Sequence, residues 1–178
     1  MTQELADEFT VLELMCALQE CELLPDVPDA AKAGLSRLKQ SALRPGTGSE
    51  FVAVYRSTSL ISHQKDLKQL LDQSRADNAR LGISGVLLHY DMTFLQVLEG
   101  GEQVVLDLLD RIGTDPRHNG MEVIFTQGEY QRVFQDWSME MIGISPEDFE
   151  GVLSRLSKSG TLAKKLFCSM KPRPSASY

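Results

Sequence analysis

Two apolar, β-rich runs, residues 83–90 and 93–99, are separated by nothing but Asp91-Met92. A two-residue connection closes only a tight antiparallel hairpin, so this spacing predicts two paired strands even though Asp-Met is not a preferred turn pair. Helical patterns flank the hairpin. Residues 63–78 place Leu67, Leu70, Leu71 and Ser74 on one face, and Val104, Val105, Leu108, Leu109 and Ile112 mark a second stripe that Asp115-Pro116 ends. Residues 51–57 read as a strand before the first helix, and 121–129 and 137–142 as two strands after the second. The order β-α-β-β-α-β with an extra strand predicts an α+β, ferredoxin-like core, two helices lying on one face of a mostly antiparallel sheet.

Helical extensions bracket this core. Residues 7–22 carry Val11, Leu14, Met15 and Leu18 at i, i+3, i+4 and i+7; Pro25 and Pro28 interrupt, and Ala31, Leu35, Leu38 and Ala42 mark a second stripe. Arg44-Pro45-Gly46-Thr47-Gly48-Ser49 has linker chemistry, which sets domain boundaries of 1–49, 50–143 and 144–178. The last segment opens with Ser145 as N-cap, Pro146 at the first helical position and Glu147-Asp148 in the first turn. Phe149, Val152, Leu153 and Leu156 form its stripe, and a short final helix is expected around 162–170.

Composition removes several function classes. A net charge of -7 among 178 residues leaves little attraction for phosphates, so direct nucleic-acid binding is not expected. No apolar run approaches the roughly 18–20 residues of a membrane span, and the acidic N-terminus is unlike a secretory signal, so a cytoplasmic location is expected. Cys16, Cys21 and Cys168 are odd in number and lack CxxC spacing, and His63 and His89 lack metal-ligand spacing, so neither a disulfide framework nor a metal is expected. No nucleophile elbow, P-loop or dinucleotide-binding glycine fingerprint is present.

The unusual residues are polar ones in apolar company. Gln96 interrupts the run Phe94-Leu95-Gln96-Val97-Leu98-Glu99-Gly100, and burying an amide without partners costs on the order of 1–3 kcal/mol. Alternation puts Phe51, Ala53, Tyr55 and Ser57 on one face of the first strand and Phe94, Gln96 and Leu98 on one face of the third. If those strands are neighbours, Tyr55 and Gln96 meet beneath the helices, either as a structural polar pair or as a pair with two hydrogen-bonding arrangements. Asn78 stands near a helix-to-strand turn, where a C-cap is the plain reading; Gly82 and Gly85 fit a turn or a close backbone approach. Asp115-Pro116-Arg117-His118 reads as a solvated loop, and Trp137 and Met139 as residues sharing one strand face in the core.

Taken together, Tyr55-Arg56-Ser57, Asn78 with Gly82-Ile83-Ser84-Gly85, the Gln96 run, Asp115-x-Arg117-His118 and Trp137-Ser138-Met139 closely resemble the BLUF family of blue-light sensors, over about residues 50–143. The resemblance implies a non-covalent flavin, FAD with FMN as the alternative, held between the two core helices. It implies that Tyr55 is the redox-active phenol, that Gln96 lies between phenol and flavin, and that Asn78 anchors the ring's polar edge. Arg117 and His118, assisted by Asp115, are implied at the ribityl and phosphate side, and Trp137 and Met139 as the strand pair that relays the signal. Asp77 departs from the family pattern, since some relatives carry there a residue that packs under the ring. The resemblance implies a photoreceptor rather than an enzyme, with light altering protein contacts.

The broad apolar stripes of the extensions are expected to cover the sheet face away from flavin or to form a homo-oligomer interface, with a downstream protein partner beyond. Two other classes stay open: a chromophore-free ferredoxin-like interaction module, and a flavin oxidoreductase, which would need a hydride-donor site.

Overall fold

The computed structural model describes residues 50–130, 132, 134, 138–156, 168 and 170. The expected N-terminal helices, Trp137 and residues 162–167 and 169 of the expected last helix lie outside them. Among the described residues the elements run β1 (Glu50–Ser59), α1 (Gln64–Leu81), β2 (Ser84–Tyr90), β3 (Thr93–Gly100), α2 (Glu102–Gly113), β4 (His118–Tyr130), β5 (Glu140–Gly143) and α3 (Pro146–Leu156). The sheet order is β4-β1-β3-β2-β5, antiparallel except where β5 pairs with β2. This is the expected α+β, ferredoxin-like arrangement.

The hairpin forms as its spacing dictates. Tyr90 pairs with Thr93, and Asp91 takes the left-handed conformation (φ 54°) that a short polar side chain tolerates. Its strands close tightly against each other elsewhere: a Cβ on Gly85 would lie 2.0 Å from the carbonyl oxygen of Val97, so only glycine fits there. β1 and β3 are central neighbours, with Tyr55 in register with Gln96.

Alternation sorts the sheet into two buried faces. Phe51, Ala53, Tyr55, Leu87, Phe94 and Leu98 face the apolar stripes of α1 (Leu70, Leu71) and α2 (Val105, Leu108, Leu109), forming one core with Met139. Each such side chain removed from water contributes roughly 1.5–3 kcal/mol, which is what holds two otherwise ordinary helices on the sheet. Val52, Val54, Val86, Leu88, Leu95 and Val97 point the other way and are also buried. On that face Phe149 of α3 stacks on Tyr90, ring centroids 4.3 Å apart, so a C-terminal helix covers the sheet opposite α1 and α2. Ser145 caps α3 as its sequence predicts, its Oγ accepting from the Asp148 N–H at 3.1 Å.

Three local expectations are corrected. Asn78 is not the C-cap of α1: the helix continues to Leu81, and Gly82 (φ 67°) supplies the left-handed cap, because a residue without Cβ adopts that conformation at no steric cost. His118 is not in a solvated loop but opens β4, which starts three residues earlier than its apolar pattern suggests, since its irregular pairing with β1 extends to Ser59. Met139 precedes β5, whose ladder with β2 begins at Glu140. No helix among the described residues is long and apolar enough to cross a membrane, and no group of three or more His, Cys, Asp or Glu there could hold a metal ion.

Candidate functional site

A cleft of about 190 Å³ opens between α1 and α2 above the sheet. Its α1 wall is Leu70, Gln73, Ser74, Asp77 and Asn78, successive positions of one helical stripe; Leu108, Arg111 and Ile112 form the α2 wall. The floor is Tyr55 from β1, Leu87 from β2 and Gln96 from β3, and Met139 joins from the approach to β5. Asp115, Arg117 and His118 stand at the mouth. All the expected site residues that are described therefore line one cavity. Trp137 lies outside the described residues.

At the floor, the hydroxyl of Tyr55 donates to Gln96 Oε1, and Gln96 Nε2 lies 3.3 Å from the thioether sulfur of Met139. Tyr55 is fully buried and Gln96 is 6% exposed, so water does not substitute for either partner. Burial, and to a lesser extent the negative Asp115, pushes the Tyr55 phenol far above its ordinary pKa. The phenol is accordingly a neutral hydrogen-bond donor at every physiological pH. The glutamine amide is held between two unlike neighbours, a strong donor on one side and a soft, weak acceptor on the other.

The walls and mouth are ordered by charge and amide chemistry. Asn78 Nδ2 donates to the backbone oxygen of Ser138 at 2.8 Å, tying α1 to the segment that carries Met139. Asp115 accepts from Arg117 at 2.6 and 2.9 Å and from its backbone N–H at 2.9 Å, and Arg117 also reaches Gln73 Oε1 at 3.2 Å. The guanidinium holds the Asp115 carboxyl below the usual carboxylate range, and the same bond raises Arg117. His118 Nδ1 and Ser57 Oγ share a hydrogen bond at 2.9 Å. Burial lowers the His118 imidazole pKa, with Asp115 acting in the opposite direction. Asp77, where some relatives carry a ring-packing residue, instead pairs with Arg80 at 3.4 Å and reaches Arg111 on α2 at 3.8 Å.

The sequence does not single out Gln73 or Arg111 as lining residues. Leu70 and Ser74 are on the predicted α1 stripe, Gln73 and Asp77 extend it, and Arg111 sits about one turn beyond Leu108. Their signal was periodicity, which marks an inward face without saying whether protein or ligand fills it.

The residues fit a flavin. Leu70, Leu87, Leu108 and Ile112 offer apolar flanks to a planar ring, Asn78 and Gln96 carry amides suited to its carbonyl and imide edge, and Arg117 supplies a cation at the open end.

Comparison with known proteins identifies the family. Residues 51–140 match the family model described as BLUF, sensors of blue-light using FAD. Photoactivated adenylate cyclase subunit beta of Euglena gracilis is 34% identical over 102 residues, which is 54% of this chain and 12% of that protein, so the chain spans a small part of this relative. The solved structure of BlrB, a BLUF protein in its dark state, superposes with a TM-score of 0.55 at 26% identity, covering 69% of this chain and 98% of BlrB. BlsA in its photo-activated state superposes with a TM-score of 0.55 at 28% identity, covering 66% of this chain and 81% of BlsA. With half of its length matched by the family and the cleft in the expected place, this chain belongs to the BLUF family of flavin-using blue-light sensors.

Proposed function

We propose that Tyr55, Gln96 and Met139 form the light-operated hydrogen-bond switch of this sensor. The single observation that carries the reading is the buried Tyr55–Gln96–Met139 chain lying along the floor of the cleft. Flavin, when bound, supplies the blue-light absorption and an excited-state electron acceptor. With flavin bound, Tyr55 would supply the electron that the excited ring takes up; loss of that electron would make its hydroxyl strongly acidic, and the existing bond to Gln96 Oε1 would be the path open to the hydroxyl proton. Return of the electron and a proton to Tyr55 would leave nothing oxidised, and the Gln96 amide would be what stays altered, turned or tautomerised between Tyr55 and Met139. A photon delivers tens of kcal/mol, whereas shifting a conformational equilibrium needs only a few kcal/mol of altered hydrogen bonding.

Asn78 and Gln96 hold the ring's polar edge in this reading, and Arg117, Asp115 and His118 hold the ribityl and phosphate portion. FAD is the proposed form, and mass spectrometry of the extracted chromophore separates it from FMN. The output is a change in protein contacts rather than catalysis by the described domain. The surface for self-association or for a partner is assigned to α3 and to the extensions that the sequence predicts to be helical. The cyclase activity named for the Euglena protein belongs to that larger protein.

The test is an absorption spectrum of the purified chain. A flavin band that shifts reversibly to the red under blue light is the expected result. Tyr55→Phe is expected to keep the flavin and abolish the shift; an ordinary photocycle in that variant overturns the role given to Tyr55. A colourless chain would favour the chromophore-free module, and bleaching by a reduced nicotinamide would favour the oxidoreductase.

A further inference from the structure

Met139 lies just ahead of the β5 ladder, so its carbonyl must find a partner outside the sheet. That partner is Arg75, a residue of α1 outside the cleft lining: its Nε donates to Met139 O at 2.9 Å. One helical turn further on, Asn78 donates to the preceding carbonyl, Ser138 O, at 2.8 Å. Two side chains at i and i+3 of one helix thus grip two consecutive peptide oxygens, and the side chain between those grips is the buried Met139 whose sulfur abuts Gln96. The remaining guanidinium nitrogens face Glu140 at 3.4 Å and Asp72 at 3.7 Å. These ion pairs are half-exposed and contribute little on their own, but they orient the planar fork so that Nε points at the carbonyl.

We propose that Arg75 is a positioning residue of the light switch: it clamps the Met139 carbonyl to α1, keeps the thioether against Gln96 in the dark, and must let go for a Gln96 rearrangement to reach β5. The proposal rests on the switch reading above only for its last step; the dark-state clamp stands on the geometry alone. Held, the chain is fastened to α1 one residue ahead of β5; released, the Asn78 bond to Ser138 O remains and β5 itself is held by its ladder with β2.

Three variants of the full chain test it: Arg75→Met, which keeps an apolar stem of similar reach and removes every donor; Arg75→Lys; and Glu140→Gln, which removes an ion-pair partner while leaving the bond to Met139 O. The first measurement is amide hydrogen exchange in the dark. Arg75→Met is expected to accelerate exchange about five-fold at residues 140–143, as loss of one net hydrogen bond implies, while β1 and β3 exchange as in the parent. Arg75→Lys is expected to restore part of the protection and Glu140→Gln to leave it within about two-fold. The second measurement is the thermal return of the red-shifted flavin band in darkness, expected to slow by a similar factor in Arg75→Met. Parent-like exchange at 140–143 in Arg75→Met overturns the clamp, as does an equal effect from Glu140→Gln, which would assign the holding to the ion pair. Faster exchange with unchanged dark return limits Arg75 to architecture and overturns its place in the switch. If the parent shows no light-driven shift, the switch reading fails, and the exchange data still decide the clamp.

Discussion

Tyr55 and Gln96 are each other's principal partner in a place water does not reach, and this makes their energetic coupling predictable. Replacing Tyr55 by Phe leaves Gln96 Oε1 buried without its donor, which costs about 1–2 kcal/mol. Gln96→Leu strands the Tyr55 hydroxyl in the same way and also gives up the contact with Met139, for about 1–3 kcal/mol. In the double variant neither group is left wanting a partner, because an apolar pair of similar volume fills the same floor; the cost should therefore be about 1–2 kcal/mol, well short of the sum. The expected coupling is about 1–2 kcal/mol. Urea denaturation of the four proteins at saturating flavin measures it, with flavin affinity determined for each so that the linkage contribution can be subtracted. All three variants should lack the reversible red shift. Single effects that add to within about 0.5 kcal/mol would show that the two side chains do not act as a unit, and the switch assignment would fall with them.

Two further outcomes are expected. Gly85→Ala should destabilise the chain by more than about 2 kcal/mol or prevent folding, because its Cβ would meet backbone, the Val97 carbonyl oxygen at 2.0 Å, rather than a side chain that can turn away; a denaturation midpoint equal to the parent's would contradict the strand packing. Because burial lowers the folded-state pKa of His118 below its ordinary 6.5, the unfolded chain takes up a proton that the folded one resists. Stability from this group is therefore fully present above pH 6.5 and declines as the pH falls below it. His118→Asn should flatten the part of the stability profile below about pH 6.5 that His118 supplies, while the contribution of His89, also lowered by burial, stays; an unchanged slope would refute the assignment.

The division between what was readable in the chain and what was not follows the range of the interactions. The hairpin was legible because two residues permit one connection, and both helices were legible from their 3.6-residue stripes, since only local geometry is involved. Alternation alone put Tyr55 and Gln96 on inward faces, and the sheet then placed them in register. The edges of elements are less legible, because they are set by contacts distant in sequence. Asn78 resembled a cap because polar residues near helix ends usually serve the backbone, but Gly82 four residues later did that more cheaply and freed the amide to reach Ser138. His118 looked solvated because its neighbours in sequence are charged; its neighbours in space are Ser57 and Phe94.

Sequence by itself thus determined the element order, the faces and, through the joint presence of Tyr55, Asn78, Gln96, Arg117 and His118, the family. Tertiary structure decided what those residues touch: that Gln73, Ser74, Asp77 and Asn78 of α1 form a cleft wall while Leu70 and Leu71 pack in the core, that Met139 supplies the sulfur beside Gln96, and that Arg75 reaches 64 residues along the chain to hold its carbonyl. Periodicity is a property of neighbours along the chain and survives in a string of letters. Contacts such as that of Arg75 exist only after the sheet has closed, when a helix and a strand approach distant in sequence are brought within hydrogen-bond reach.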